Sequence, residues 1–282
     1  MFPSFNILGR DIPMYGVMTV IGMLVAGFVF CYRIKKSGHD ENDAVLFLLV
    51  LFGGMMVGGS VMHAIVNIRL LAKVGAYPLF KVLMVMFGGF VFYGGMFGAT
   101  AGGLLFVKKM KLPLDVYMDN SALFAPLFHG FARIGCFLGG CCFGIESPFG
   151  FAAHGNTVTA IGTVSRFPVQ LLESLCNFLI ALAIYILIRM GIAKGRLFFV
   201  YLSAYSVVRF FDEFLRGDAV RGFVGVLSTS QFISIFVLAV GLVAFFAYPK
   251  IKRAINEAAT AKNAVSAVTG AIESENDTQY TE

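Results

Sequence analysis

Long apolar runs separated by short polar segments dominate the first 250 residues. A helix needs about 20 mostly apolar residues to cross the hydrocarbon core of a bilayer. By this criterion the chain contains seven candidate spans, at about 13–32, 44–65, 82–107, 120–140, 169–188, 197–215 and 230–248. The pattern predicts an all-α polytopic membrane protein with about seven transmembrane helices.

The fourth candidate span is the least regular of the seven. It contains Pro126, His129 and Arg133, and it ends in a run of glycine and cysteine. Non-helical backbone is tolerated at membrane depth only where protein or a wet cavity covers it. A broken or partly re-entrant helix therefore remains an alternative for this span.

The last part of the chain differs from the rest in composition. Residues 251–282 are rich in Ala, Glu, Asn, Thr and Ser and poor in aromatic residues. Such a segment buries too little apolar surface to fold on its own. We therefore predict two regions, a transmembrane domain over 1–250 and a mobile cytoplasmic tail over 251–282.

Lysine and arginine lie mostly at the ends of the apolar runs. Loops one, three and five and the C-terminal tail hold 13 of the 22 Lys and Arg residues, against 7 on the other side. The positive-inside rule then puts the N-terminus outside and the C-terminus in the cytoplasm. Membrane topology thus accounts for the net charge of +6 without a nucleic-acid partner.

Two arginines, Arg133 and Arg209, lie inside predicted spans. A charge at the bilayer centre costs about 2.5–3.5 kcal/mol on insertion scales. One interpretation pairs each arginine with a carboxylate only to hold the helices together. The other is a buried or water-lined anion site, because the planar guanidinium fork suits phosphate and carboxylate groups.

The sixth span favours the anion site. Arg209, Glu213 and Arg216 are spaced i, i+4 and i+7, which predicts that they share one helix face. Glu173 at the start of span five is a candidate partner from a neighbouring helix, and Gln170 lies one turn before it.

The segment 129–144, HGFARIGCFLGGCCFG, combines a histidine, an arginine and three cysteines with five glycines. The spacing C-x4-C-C matches no standard structural zinc pattern, so we predict no metal and no cofactor. The cysteines are either small packing groups or sites of thiol chemistry, for which His129 and His154 are candidate bases.

Glycines recur at helical spacing in spans two and three, at Gly54, Gly58, Gly94, Gly98 and Gly102. Small residues at this spacing are typical of closely packed membrane helices. The functional alternative is that they let a lipid chain or head group approach the backbone.

Several segments resemble, in order, one bacterial family. They are FPSFNILGRDIPMYGVM at the N-terminus, FYGGM at 92–96, ARIGCFLGGCCFG at 132–144, FPVQLLE at 167–173 and VVRFFDEFLRGD followed by STSQFISI. Together they resemble the prolipoprotein diacylglyceryl transferases over most of residues 1–250. The chain departs from the family motifs at Tyr93, where the motif has histidine, and at Cys136, Gly139 and Cys141, where the signature has asparagine or glutamate.

The resemblance implies a membrane transferase of the bacterial cytoplasmic membrane. The reaction would move the diacylglyceryl group of phosphatidylglycerol onto the lipobox cysteine thiol of preprolipoproteins. Phosphatidylglycerol, preprolipoprotein signal peptides and membrane lipids are the implied partners. The alternatives are a relative acting on another lipid or acceptor, and a non-enzymatic lipid or anion transporter or binding protein.

The resemblance also implies roles for individual residues. The expected catalytic residues are Arg133, Arg209, Glu213, Glu173 and Tyr93. In this hypothesis Tyr93 holds the head group while Glu173 or Glu213 takes the proton. The expected substrate-binding residues are Tyr15, Gly94, Gly95, Gly135, Cys136, Gly140, Gly144, Gln170 and Arg216.

Overall fold

The computed structural model describes residues 4–7, 10–67, 89, 91–152, 164–217, 223–225 and 227–279. Within these ranges the α-helices are α1 Met14–Lys36, α2 Glu41–Val66, α3 Phe92–Lys109, α4 Leu114–Gly139, α5 Val169–Met190, α6 Leu197–Asp212 and α7 Thr229–Gln279. The strands are β1 Ser4–Ile7, β2 Arg10–Pro13, β3 Glu146–Phe151, β4 Phe223–Val224 and β5 Leu227–Ser228. β1 pairs antiparallel with β2, and β4 with β5.

Among the described residues, five helices are long and apolar enough to cross a membrane. They are α1, α2, α4, α5 and the Thr229–Ile255 part of α7. The helices α3 and α6 cover much of the third and sixth candidate spans, but they do not meet the same length and composition criteria. The helical membrane architecture is therefore confirmed, while the count of seven spans and the orientation stay predictions.

The fourth span is one continuous helix. α4 runs through Pro126 without interruption, so the broken alternative is not realised. The turn around Pro126 is covered, because Ala122, Leu123 and Pro126 are all buried. In the next turn the hydroxyl of Ser174 in α5 donates a hydrogen bond to the carbonyl of Gly130 at 2.8 Å. Proline is tolerated in membrane helices when such neighbours cover the disturbed turn.

The glycines at helical spacing bring α2 and α3 into contact. A Cβ on Gly54 or Gly58 of α2 would collide with the backbone of Gly98 of α3. A Cβ on Gly94 would likewise meet the backbone of Gly58. The prediction of close helix packing through small residues is confirmed.

The last helix extends past the predicted boundary of the transmembrane domain. α7 continues from Thr229 to Gln279, and Lys252 forms an ion pair with Asp115 at the start of α4. The division at residue 250 remains a prediction, as does the mobility of the tail.

Candidate functional site

A buried carboxylate, Glu173, occupies the centre of the polar region. It lies in the second turn of α5, and only 2% of its side chain is exposed. Its Oε1 accepts a hydrogen bond from the Tyr205 hydroxyl at 2.9 Å and lies 2.9 Å from Nη2 of Arg133. Nε2 of His129 lies 3.7 Å from the same oxygen. Side chains from α4, α5 and α6 thus converge on one carboxylate.

A second arginine, Arg209, lies near the end of α6. Its Nη2 is 3.0 Å from Oε2 of Glu213 and donates a hydrogen bond to the hydroxyl of Ser230 in α7 at 3.0 Å. Arg209 also lies within electrostatic reach of Glu173. The two arginine–carboxylate pairs therefore belong to one charged region.

The predicted common face of Arg209, Glu213 and Arg216 is only partly correct. The pair at i, i+4 forms, but α6 ends at Asp212, and a short 3-10 helix spans Glu213–Leu215. Arg216 has an extended backbone and bridges to Gly144. The helix stops because backbone groups on either side of Arg216 bond to the loop after α4, as Ile145 N–H to Leu215 O at 2.9 Å illustrates.

Both arginines keep buried nitrogen atoms without a hydrogen-bond partner among the described residues. These are Nε of Arg133 and Nη1 of Arg209, and the Oε1 of Gln170 is also unsatisfied. A buried donor left without a partner costs about 1–3 kcal/mol, more when it is charged. The region is therefore suited to take up an anionic ligand that accepts these bonds.

The loop after α4 turns back over the end of its own helix. Gly140 has a left-handed backbone with φ of 72°, and the N–H of Cys141 bonds to the carbonyl of Cys136 at 3.1 Å. This is the arrangement of a Schellman cap, which favours glycine because other residues are strained there. Nε2 of Gln170 then donates to the carbonyl of Cys141 at 2.8 Å and ties the loop to α5.

Gly144 is needed where three backbone segments meet. A Cβ on this residue would collide with the carbonyl of Phe167 and lie 2.9 Å from the carbonyl of Leu215. The loop can lie between α5 and the end of α6 because residue 144 has no side chain.

The returning loop brings Cys141 and Cys142 close to Cys136 at the end of α4. The sulfur atoms of Cys136, Cys141 and Cys142 all lie within 4.8 Å of one another. Cys136 is buried, whereas Cys141 is exposed. Hydrogen bonds from the Cys136 and Cys141 thiols, together with the charges of Arg133 and Arg216, outweigh burial and lower the pKa of the Cys142 thiol.

The other predicted residues lie in two places. Tyr15 in the first turn of α1 packs on the end of α4, where a Cβ on Gly135 would lie 3.2 Å from its carbonyl. Gly94 and Gly95 lie in the first turns of α3, and Gly94 is part of its contact with α2. Tyr93 belongs to the same helix, but its side chain lies outside the described residues, and so does His154.

Sequence reasoning missed two polar groups of the site. The hydroxyl of Tyr205 donates a hydrogen bond to Glu173, and the hydroxyl of Ser230 accepts one from Arg209. Tyr205 precedes Arg209 by four residues and therefore shares its helix face, which was an available signal. Ser230 lies in the segment STSQFISI, but its contact with Arg209 was not predictable, because that contact depends on how α7 packs against α6.

Comparison with known proteins gives consistent matches along the chain. The family model described as prolipoprotein diacylglyceryl transferase matches residues 3–247. A Clostridium tetani protein named phosphatidylglycerol–prolipoprotein diacylglyceryl transferase is 35% identical over 243 residues, covering 86% of this chain and 95% of its own length. A Clostridium perfringens protein, named as the second such transferase, is 33% identical over 243 residues, covering 85% and 92%. A Campylobacter hominis protein of the same name is 30% identical over 261 residues, covering 88% and 90%.

Proposed function

The chain belongs to the prolipoprotein diacylglyceryl transferase family, and on that premise we propose that it transfers the diacylglyceryl group of phosphatidylglycerol to a lipobox cysteine. The acceptor is the thiol in the signal peptide of a preprolipoprotein. The observation that carries this proposal is the buried Arg133–Glu173 pair beside Arg209, with unpartnered nitrogen atoms on both arginines.

The arginines bind the lipid phosphate and stabilise the charge that develops on it. When the carbon–oxygen bond to phosphate breaks, the departing glycerol phosphate gains a negative charge. Arg133 and Arg209 offer fixed positive charges in a region largely shielded from water, where such charges stabilise a transition state most effectively. Nε of Arg133 and Nη1 of Arg209 are the donors available for this contact.

The carboxylates hold the arginines in position. Glu173 binds Arg133 and accepts a bond from Tyr205, and Glu213 pairs with Arg209. Groups held on several sides lose little entropy when substrate binds, which favours a defined reacting geometry. Proton acceptance by Glu173 or Glu213, and head-group binding by Tyr93, remain part of this proposal.

The proposal includes a location and an orientation. We place the protein in the bacterial cytoplasmic membrane as a multi-pass protein of about seven spans, among other membrane lipids. The distribution of Lys and Arg supports an outer N-terminus and a cytoplasmic C-terminus. The loop after α4 then faces outward, where secreted preprolipoproteins present their lipobox.

The decisive experiment combines the purified full chain, phosphatidylglycerol vesicles and a synthetic lipobox peptide. Mass spectrometry should find the diacylglyceryl mass on the peptide cysteine. Arg133→Ala should abolish the product, whereas Arg189→Ala, which changes an exposed arginine at the end of α5, should retain it.

A second function is favoured by one observation, the cysteine cluster where the family signature has polar residues. In this alternative the protein keeps the fold of the family but acts on another lipid or acceptor. Folded protein that binds lipid but gives no lipidated peptide would favour this alternative, or a non-enzymatic lipid or anion carrier, over the transferase.

A further inference from the structure

Three thiols form a site that the spacing C-x4-C-C did not predict. The cap at Gly140 reverses the chain, so that Cys141 and Cys142 come back beside Cys136 at the end of α4. All three sulfur atoms lie within 4.8 Å of one another. Sequence spacing could not indicate this cluster, because the reversal of a helix end decides which sulfurs face each other.

The cluster has dimensions that suit a zinc ion. With zinc–sulfur bonds of about 2.3 Å, the sulfurs of a tetrahedral site lie about 3.8 Å apart. The cysteine side chains therefore need to move together by less than about 1 Å. The backbone around them is held in place by the bonds Gln170 Nε2 to Cys141 O and Gly217 N to Phe143 O.

Three sulfurs leave one of four tetrahedral positions open. Among the described residues no His, Asp or Glu joins the three cysteines as a further ligand. Structural zinc sites have four protein ligands, whereas sites with three protein ligands and an open position are typical of catalytic zinc. Cys141 is exposed, so the cluster reaches the surface of the described structure.

Positive charge lies beside the cluster. Nη1 of Arg133 is 4.0 Å from the sulfur of Cys136, and the backbone of Arg216 bridges to Gly144 in the same loop. Three thiolates around Zn²⁺ carry a net charge of −1, and a fourth thiolate makes it −2. The neighbouring arginines offset this charge.

We propose that Cys136, Cys141 and Cys142 bind one Zn²⁺ whose open position takes the thiol of the acceptor peptide. This inference rests on the proposed transferase function, because it supplies what that reaction requires. A free cysteine thiol has a pKa of about 8.5 and is mostly protonated at neutral pH. A thiol bound to zinc is deprotonated outright.

A zinc ion would also remove the need for Glu173 or Glu213 to act as the base that takes the thiol proton. Glu173 lies against Arg133 and Tyr205, and Glu213 against Arg209. A carboxylate stabilised in its charged form by arginine is a weak base. Zinc would then replace Glu173 or Glu213 as the group that removes the thiol proton, and the carboxylates would only hold the arginines in place.

The step balances in atoms and charge. The peptide thiol replaces a hydroxide on zinc, and its proton leaves with that hydroxide as water. The zinc-bound thiolate attacks the glyceryl carbon that carries the phosphate, so that a carbon–sulfur bond forms and a carbon–oxygen bond breaks. Glycerol phosphate leaves as a dianion beside Arg133 and Arg209, and hydroxide from water returns to zinc while its proton goes to the solvent.

Metal binding is tested on the purified full chain with Zn²⁺ and with Co²⁺ as a spectroscopic substitute. One Zn²⁺ per chain should remain after desalting, and Co²⁺ should give a sulfur-to-metal charge-transfer band. Loss of a partner that only supports a ligand costs about 10–100-fold in metal affinity, so Cys136→Ser, Cys141→Ser and Cys142→Ser, which each remove a ligand, should weaken zinc binding by at least as much. Cys176→Ser, on α5 outside the cluster, should leave binding unchanged. Binding that does not depend on the three cysteines overturns the site.

Thiol activation is tested separately, without lipid. A lipobox peptide should change the Co²⁺ spectrum, and the same peptide with serine in place of cysteine should not. Equal spectra with both peptides would overturn the proposal that the peptide thiol binds at the open position of the metal.

Transferase activity then separates the two proposals. Lipidation that is lost on chelation and restored by Zn²⁺ supports both. Lipidation by zinc-free protein at the full rate overturns zinc activation but leaves the transferase standing. An intact zinc site that responds to peptide thiol, in protein that never lipidates the peptide, overturns the proposed function instead.

Discussion

At the scale of single residues, the site is defined by how buried charges are neutralised. Arg133 and Arg209 are both paired with carboxylates, as the purely structural interpretation of these arginines required. Removing one partner of a buried pair costs about 3–5 kcal/mol, because the other charge is left uncompensated. Each arginine therefore needs its carboxylate partner, while the unpartnered nitrogens of the same arginines are what a phosphate would use.

Arg133→Lys tests whether the guanidinium fork matters beyond its charge. Lysine keeps the positive charge but cannot bind two oxygens in parallel. We expect lipidation of the peptide to fall at least about tenfold, which is the effect of about 1.4 kcal/mol on the barrier. Full activity in vesicle assays would contradict two-point binding of the phosphate at this residue.

Tyr205→Phe tests the contact that holds Glu173. The variant removes a hydrogen bond to a charged group, which is worth about 1.5–3 kcal/mol. We expect a lower melting temperature and reduced lipidation. Tyr201→Phe is the matched control, because its ring stacks on Tyr205 while the Glu173 bond comes from Tyr205. Equal effects of the two changes would rule out a special role for Tyr205.

Tyr93→Phe tests the proposed head-group contact. A tyrosine has an unperturbed pKa of about 10, so it donates a hydrogen bond well but is a poor base at neutral pH. We expect the variant to fold normally and to lipidate the peptide more slowly, with a higher KM for phosphatidylglycerol. An unchanged rate and KM would remove Tyr93 from the proposed site.

At the scale of elements, close backbone contacts determine which helices are neighbours. α2 and α3 touch through glycine backbones, and α4 carries the cap that returns the cysteine loop to its own end. In a membrane, helices associate through packing and polar contacts, because the lipid is as apolar as the helix surface. Small residues at helical spacing therefore indicate which helices are neighbours better than hydrophobicity does.

Gly58→Ala tests the α2–α3 contact, with Gly53→Ala as its control on the same helix. A Cβ at residue 58 would lie 2.8 Å from the Cα of Gly98, whereas one at residue 53 meets nothing within 4 Å. Overpacking of this kind costs about 1–3 kcal/mol, while alanine at the open position should be neutral or stabilising by up to about 1 kcal/mol. Thermal unfolding in detergent measures both, and equal stability would contradict the close contact.

At the scale of the whole molecule, orientation decides which side the cysteine loop faces. The proposed orientation predicts that Ser4→Cys reacts with a membrane-impermeant maleimide added to intact cells, because residue 4 is exposed and would then lie outside. Ser274→Cys near the C-terminus should react only after the membrane is opened. Mass spectrometry of the labelled peptides separates these sites from the native cysteines, and the reverse pattern would invert the topology.

Much of this protein followed from the sequence because it depends on local composition. The positions of the membrane helices follow from the apolar runs, since a span needs about 20 such residues in any context. The length of a helix does not, because α7 continues far beyond its apolar run. The motif residues Arg133, Glu173 and Arg209 were recognisable because charges inside apolar runs are costly and therefore informative. The glycines of spans two and three indicated a close contact, which the structure confirms.

The tertiary structure decided how these groups combine, because their partners are distant in the sequence. It paired Glu173 with Arg133 and Tyr205, and it ended α6 before Arg216. It also brought Cys141 and Cys142 back to Cys136 through a left-handed residue at Gly140. The position of a membrane helix depends on local sequence, whereas the pairing of buried charges and the convergence of three sulfurs depend on how distant segments pack around one another.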